Sequence, residues 1–170
     1  MKLHSLFLVL LCNVLSAQEM TNIILLEIIT KTSDSVQGTE GSWQFQHKES
    51  QLFCITDAEN NRMRIMSPIT ETAVLDKDLL LDAMTANFHS ALDVRYAIAN
   101  GVIWSVFIHP LRELSSQEIE SAISQVHLAS KTFGTTFSST KLIYAASSPE
   151  KTMKTKISDE HENKLFLQKL

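Results

Sequence analysis

The chain has 170 residues, a formal net charge of −4, 44% apolar residues and 20% charged residues. These values are ordinary for a globular protein, and the length is sufficient for one domain with a hydrophobic core. The mild acidity and the lack of a lysine and arginine cluster argue against nucleic-acid binding and against a polybasic membrane patch.

Residues 1–17 have the pattern of a secretory signal peptide. Lys2 precedes an apolar run over residues 6–15, which is too short to span a bilayer, and Ser16-Ala17 offers small residues for cleavage. We therefore expect a periplasmic or secreted protein whose mature chain has no integral membrane span. An uncleaved N-terminal anchor is the alternative, because Leu15 stands where cleavage prefers a smaller residue.

The remaining chain divides into a domain and a tail. We expect residues 18–146 to form a single α+β domain, in which residues 141–146 could add a short edge strand. Residues 147–170 are polar and charged, and they predict a flexible tail. The amphipathic end of this tail, KLFLQKL over residues 164–170, is interpreted as unstructured, with a docking peptide as the alternative.

The first half of the domain predicts one helix, three strands and a second helix. Residues 19–33 are broadly apolar and predict a helix, although their β-branched residues leave a strand as the alternative. A polar connection is predicted over residues 34–41. Alternating apolar and polar side chains then indicate an antiparallel meander over residues 43–47, 52–56 and 62–69. The second helix is predicted to begin after Asp76, its N-cap.

The stretch from residue 94 to residue 134 carries the clearest structural pattern. Asn100-Gly101 favours a type I′ hairpin turn, because both residues tolerate a positive φ. A two-residue turn fixes the register of the hairpin and places Ala97 opposite Trp104. Ser115 and Glu118 have the spacing of a capping box at the start of a third helix, over residues 115–133. Gly134 is placed to end that helix.

Both faces of the predicted hairpin are apolar. One face carries Val94, Tyr96, Ile98, Ile103 and Phe107, and the other carries Ala97, Ala99, Val102, Trp104, Val106 and Ile108. A small antiparallel sheet normally leaves one polar face in water. The Trp104 face is therefore covered either by the chain's own helices or by another protein chain. The candidate residues for a protein-binding or dimer contact are Val102, Trp104, Val106 and Ile108.

Motifs for catalysis, nucleotide binding or metal binding are absent from the sequence. It contains no HxxxH, HxH or HExxH spacing, no G-x-S-x-G motif, no P-loop and no dinucleotide fingerprint. We therefore expect no cofactor, no metal site and no enzymatic activity.

Cys54 lies in an apolar run and is interpreted as a buried structural thiol. Met63, Met66 and Met84 are interpreted as core residues, with an adaptable binding surface as the alternative.

Two other functions are compatible with the sequence. The first is a small-ligand binder or enzyme with a pocket between sheet and helix, lined by Arg95, Tyr96 and His109. Asp93 and Arg95 are expected to pair at the rim of the sheet, and gripping a polar ligand is the alternative role for them. The second is a purely structural component of the cell envelope.

The predicted order α-β-β-β-α-β-β-α and segments such as DVRYAIANGVIWSVFIHPL resemble the type III secretion chaperone-like fold. Class I secretion chaperones and the YbjN family share this fold, and the resemblance covers residues 19–133. It implies an α+β domain with a single twisted antiparallel sheet backed by helices. It also implies a non-enzymatic role and frequent homodimers built through the second helix and the neighbouring sheet.

The export signal departs from the pattern of these chaperones, which act in the cytosol. The export signal argues against a role in type III secretion itself, and only the binding architecture is expected to transfer. We accordingly expect an exported, chaperone-like module that binds a second copy of itself, a client protein, or both.

Overall fold

A computed structural model describes residues 19–140. Its elements are α1 (Asn22–Thr32), β1 (Ser35–Thr39), β2 (Ser42–His47), β3 (Ser50–Asp57), β4 (Arg62–Glu71), α2 (Lys77–His89), β5 (Arg95–Ala99), β6 (Val102–His109) and α3 (Ser116–Thr132). The signal-peptide prediction for residues 1–17, the edge strand predicted over residues 141–146 and the tail predicted over residues 147–170 lie outside the described residues.

Each helix begins where the sequence supplies a polar cap. The Thr21 hydroxyl accepts a hydrogen bond from the Ile24 amide, and the Asp76 carboxylate accepts one from the Leu79 amide. Ser115 and Glu118 form the predicted capping box at the start of α3. These caps provide partners for amide groups that a helix leaves without one in its first turn. Residues 22–32 are helical, so the strand alternative for this segment is wrong.

The six strands form one antiparallel sheet in the order β1-β2-β3-β4-β6-β5. The β5–β6 hairpin has the predicted register, with Ala97 opposite Trp104. Asn100 and Gly101 have φ angles of 51° and 73°, which are the positive values that a type I′ turn requires. The predicted fold class, an α+β domain with a single antiparallel sheet backed by helices, is confirmed.

The sheet has one strand more than the sequence pattern predicted. β1 occupies most of the segment predicted as a polar connection, and it pairs Val36 with Phe45 and Gly38 with Trp43. Its side chains are mostly exposed. An edge strand of this kind shows no alternation of apolar and polar residues, because neither of its faces is deeply buried.

Helices α1 and α3 cover one face of the sheet. The Ser105 hydroxyl donates a hydrogen bond to the Val126 carbonyl at 3.0 Å, and the Tyr96 hydroxyl donates one to the Ala129 carbonyl at 3.0 Å. The fully buried side chains between these layers include Leu25, Ile29, Phe45, Leu52, Ile65, Ile119, Ile123 and Val126. Helix α2 lies beside β5, at the edge of the sheet. Among residues 19–140, no helix combines the length and apolar character needed to cross a bilayer.

Candidate functional site

The second face of the sheet has no helix over it within residues 19–140. Ser105 and Tyr96 contact α3, and strand side chains alternate between faces. Trp104 therefore lies on the opposite face, which we call the open face. Its other members follow from the strand register and include Phe53, Ile55, Arg64, Met66, Pro68, Glu71, Arg95, Val102, Val106 and Ile108.

The middle of the open face is apolar. Phe53, Met66 and Val106 form one row across β3, β4 and β6, and Pro68 and Trp104 are paired in the next row. The Phe53 and Trp104 rings contact edge to face, with centroids 6.1 Å apart and planes inclined by 71°. An aromatic pair of this geometry stabilises the surface beyond its buried area. The two rings therefore form a preorganised apolar platform.

All four predicted contact residues lie on this face, but they differ in exposure. Ile108 is 61% exposed and Val106 is 9% exposed, while Val102 and Trp104 are half-buried. The indole nitrogen of Trp104 donates to the Ala99 carbonyl at 3.3 Å. Among the described residues, this face is thus covered by neither α1, α2 nor α3. The sequence left open whether the chain's own helices would cover it.

Arginines predominate at one end of the open face, where Arg62 also lies opposite Asp57, and an anion marks the other end. Arg64 is exposed and is paired with Ile108 across the ladder, and Arg95 lies opposite Val106. Glu71, which is also exposed, lies opposite Val102 at the far end of β4. The apolar platform is therefore flanked by opposite charges along the direction of β4.

Sequence reasoning missed Phe53 and Arg64 and misplaced two methionines. Met63 is buried as predicted, but Met66 lies on the open face and Met84 is 65% exposed on α2. The pairing of β3 and β4 with β6 joins residues that are far apart in the sequence. A pattern confined to the hairpin could not reveal which side chains lie beside Trp104.

A second exposed apolar surface lies on α2. Leu81, Met84 and Phe88 are 53%, 65% and 87% exposed. Their spacing of three and four residues places them on one side of the helix. We call these three residues the α2 stripe. It lies opposite Ala83 and Ala86, which are buried toward the domain.

The predicted polar pocket is only partly assembled. Arg95 and His109 line a groove of about 330 Å³ together with Asp93, Glu118 and Gln125, among other residues. Tyr96 points to the helix-covered face instead, and burial raises its pKa to about 12. The hydrogen bonds of the Ser115 amide and hydroxyl to Glu118 hold the pKa of that carboxyl below its usual value.

The polar groups of this groove bind mostly to each other and to the backbone. Arg95 donates to the Leu92 and Val94 carbonyls, and the Gln125 amide donates to the Asp93 carboxylate at 3.0 Å. Asp93 and Arg95 form no ion pair in the described part of the chain, so the prediction that they pair at the rim is wrong. His109 Nδ1 lies 2.8 Å from the Pro110 carbonyl oxygen. Within residues 19–140, no three histidine, cysteine or acidic side chains are grouped so that they could hold a metal ion.

The fold is similar to that of chains in two solved protein complexes, although the sequence similarity is low. No protein-family model matches the chain, and no curated protein matches its sequence. A chain in the crystal structure of the ExsC–ExsE complex is 14% identical, with a TM-score of 0.53 over 74% of this chain and 95% of that one. A chain in the HopA1–SchA chaperone–effector complex is 11% identical, with a TM-score of 0.51 over 64% of this chain and 89% of that one.

These similarities confirm the type III secretion chaperone-like fold that the order of elements predicted. At this level of identity they concern the fold alone. The proposed link to the YbjN family stays a prediction.

Proposed function

We propose that the chain is a non-enzymatic, chaperone-like protein-binding module, and that a partner protein binds to the open face of its sheet. The observation that carries the proposal is the Phe53–Trp104 platform beside the exposed Ile108, which no described helix covers. Monomers rarely expose contiguous apolar patches larger than a few hundred Å², and the largest patch of a monomer is often functional. Burial of such a patch stabilises a complex by about 25 cal/mol per Å² before entropic costs.

The charges of the face define the chemistry of the partner. Arg64 makes no ion pair or hydrogen bond with any residue in the described part of the chain. A carboxylate on the partner would therefore gain a charge-assisted contact with Arg64 without displacing an existing one. We propose that the partner presents an apolar segment next to acidic residues.

A labelled synthetic peptide in which leucine alternates with glutamate tests this proposal. Fluorescence anisotropy with the full-length chain should show saturable binding, which Trp104→Ala weakens about tenfold. Arg64→Glu should weaken binding at low salt and reduce its salt dependence. Ile23→Ala is the matched control, because Ile23 is exposed on α1, away from the open face. Absence of saturable binding, or equal affinity for the Trp104→Ala chain, would contradict the proposal.

A homodimer belongs to the same proposal, and we place the second copy on the α2 stripe. Three exposed apolar side chains at helical spacing suit packing against an identical helix about a twofold axis. Sedimentation analysis should show a wild-type dimer that Met84→Asp dissociates and Ile23→Asp does not. A dimer that Trp104→Ala dissociates instead would place the second copy on the open face. A wild-type chain that stays monomeric at every concentration would rule the dimer out.

We also propose that the chain acts outside the cytoplasm, in the periplasm or after secretion. This rests on the signal-peptide pattern of residues 1–17 alone. Mass spectrometry of the protein from fractionated cells should detect a chain that begins at Gln18. A chain that keeps Met1 and remains in the cytoplasmic fraction would overturn this proposal.

A further inference from the structure

We propose that residues 159–170 of the same chain, DEHENKLFLQKL, dock on the open face when no partner is bound. The inference rests on the proposed function, because partner and tail would use the same surface. Its argument comes from the charges of the face, from the order of residues in the tail, and from the place where the described chain approaches the sheet.

The order of charges in the tail matches that of the open face. The face has Arg64 at one end, the Phe53–Trp104 platform in the middle and Glu71 at the other end. The segment has Asp159, Glu160 and Glu162 first, which outnumber the single cation Lys164 that follows them, then Leu165, Phe166 and Leu167, then Lys169. Opposite charges at both ends and apolar residues between them make a single orientation of the segment favourable.

The tail is long enough to reach the open face. The Ser139 amide donates a hydrogen bond to the carbonyl of Ser90, the residue that ends α2 beside β5. From residue 140 to residue 159, an extended chain covers up to about 60 Å. The four strands β3, β4, β6 and β5 span only about 15 Å from first to last.

Tethering makes even a weak contact effective. A segment on a short linker acts at an effective concentration on the order of 1 mM, so it covers the face without high intrinsic affinity. A partner must then displace the segment before it can bind. The tail would thus lower the apparent affinity for partners and shield the apolar platform in the unbound chain.

The fluorescence of Trp104 reports directly on whether the platform is covered. The chain contains two tryptophans, and Trp43 is buried at 4% exposure. In a full-length Trp43→Phe chain, acrylamide quenching therefore reads Trp104 alone. Adding Phe166→Ser and Leu167→Ser should increase the quenching, whereas Met153→Ser, which changes an apolar tail residue outside the segment, should leave it unchanged. High salt should also increase the quenching in the chain with an unaltered tail.

A competition experiment in chains that keep both tryptophans gives a second readout. The leucine–glutamate peptide should bind the Phe166→Ser, Leu167→Ser chain about tenfold more tightly than the wild type. In the Trp43→Phe chain, Arg64→Glu should increase the quenching of Trp104, and adding Glu160→Arg with Glu162→Arg should reduce it again. Recovery of protection on exchanging these charges would show that residue 64 contacts residues 160 and 162. The presence of the tail alone would not produce that recovery.

The outcomes separate this inference from the proposed function. Equal quenching and equal peptide affinity with and without the tail substitutions would overturn the tail docking and leave the peptide-binding face intact. Protection of Trp104 that disappears on dilution would assign the cover to a second copy and also overturn it. If the peptide binds neither chain, the proposed function fails independently of the quenching result.

Discussion

The side chain of Asn87 on α2 pairs with both backbone groups of Tyr96 on β5. Its amide nitrogen donates to the Tyr96 carbonyl at 3.1 Å, and its carbonyl oxygen accepts from the Tyr96 amide at 2.7 Å. The carboxamide thus provides the two hydrogen bonds that a further strand would make at this position. An unpaired strand edge invites association with other strands, and here α2 protects it.

Asn87→Ala should destabilise the domain and open this edge. Loss of the carboxamide leaves two backbone groups of Tyr96 without partners, which should lower the free energy of unfolding by about 1–3 kcal/mol. Urea unfolding measures this loss, and light scattering should show increased self-association. Thr85→Ala is the control, because it removes an exposed hydroxyl that binds only the Leu81 carbonyl of the same helix. Equal stability of the two variants would contradict the edge-protecting role.

Gly38→Ala and Gly101→Ala should differ strongly in their effect on stability. At Gly38, where φ is 136°, a Cβ would collide with the Ser42 carbonyl oxygen, so we expect a loss of at least about 2 kcal/mol. At Gly101, where φ is 73°, a Cβ has no other atom within 4 Å, so only backbone strain of about 1 kcal/mol remains. Urea unfolding of both variants checks this order, and equal losses would show that β1 contributes little to the stability of the sheet.

Local sequence patterns predicted those helices and strands that begin, end or turn at characteristic capping or turn residues. Asn100-Gly101 predicted the hairpin register, and Ser115 with Glu118 predicted the start of α3, because each signal acts over two to four residues. β1 escaped prediction for a physical reason. Its side chains are exposed, and Gly38 adopts a conformation that the sequence pattern does not reveal.

The candidate site could be predicted only in part. The four hairpin residues from Val102 to Ile108 follow from strand alternation, and the structure places them on one face. Phe53 and Arg64 join them only through the pairing of β3 and β4 with β6, across more than forty residues in the case of Arg64 and Ile108. Long-range register depends on the packing of the whole sheet, so no local pattern carries it.

Acid should destabilise the domain through His127. Burial, followed by the charges of His47, Lys48 and Lys131, lowers the pKa of His127, and Glu49 opposes this effect only weakly. The unfolded chain therefore takes up the proton first. Stability should be fully present above about pH 6.5 and should be lost as the pH falls from there through the lowered pKa of the folded state.

Urea midpoints measured on both sides of that range test this effect. His127→Gln should reduce the loss of stability in acid, although it also removes the contact between His127 Nδ1 and the Ser50 hydroxyl, which are 2.8 Å apart. His89→Gln is the control, because His89 is exposed on α2. An acid dependence that stays the same in the His127→Gln chain would assign it to other groups.

Cys54 should be unreactive in the folded protein and should destabilise it in alkali. Burial raises the pKa of the Cys54 thiol to about 12, so the folded chain holds almost no thiolate at neutral pH. A thiol reagent should therefore label Cys54 only as fast as the domain opens, and mass spectrometry of the labelled peptide should show the rate rising with urea. Because the unfolded thiol ionises first, stability should fall as the pH rises from about 9 towards 12, and this fall should be smaller in Cys54→Ala. Rapid labelling of the native chain would show that Cys54 is accessible and that the core around β3 is not closed.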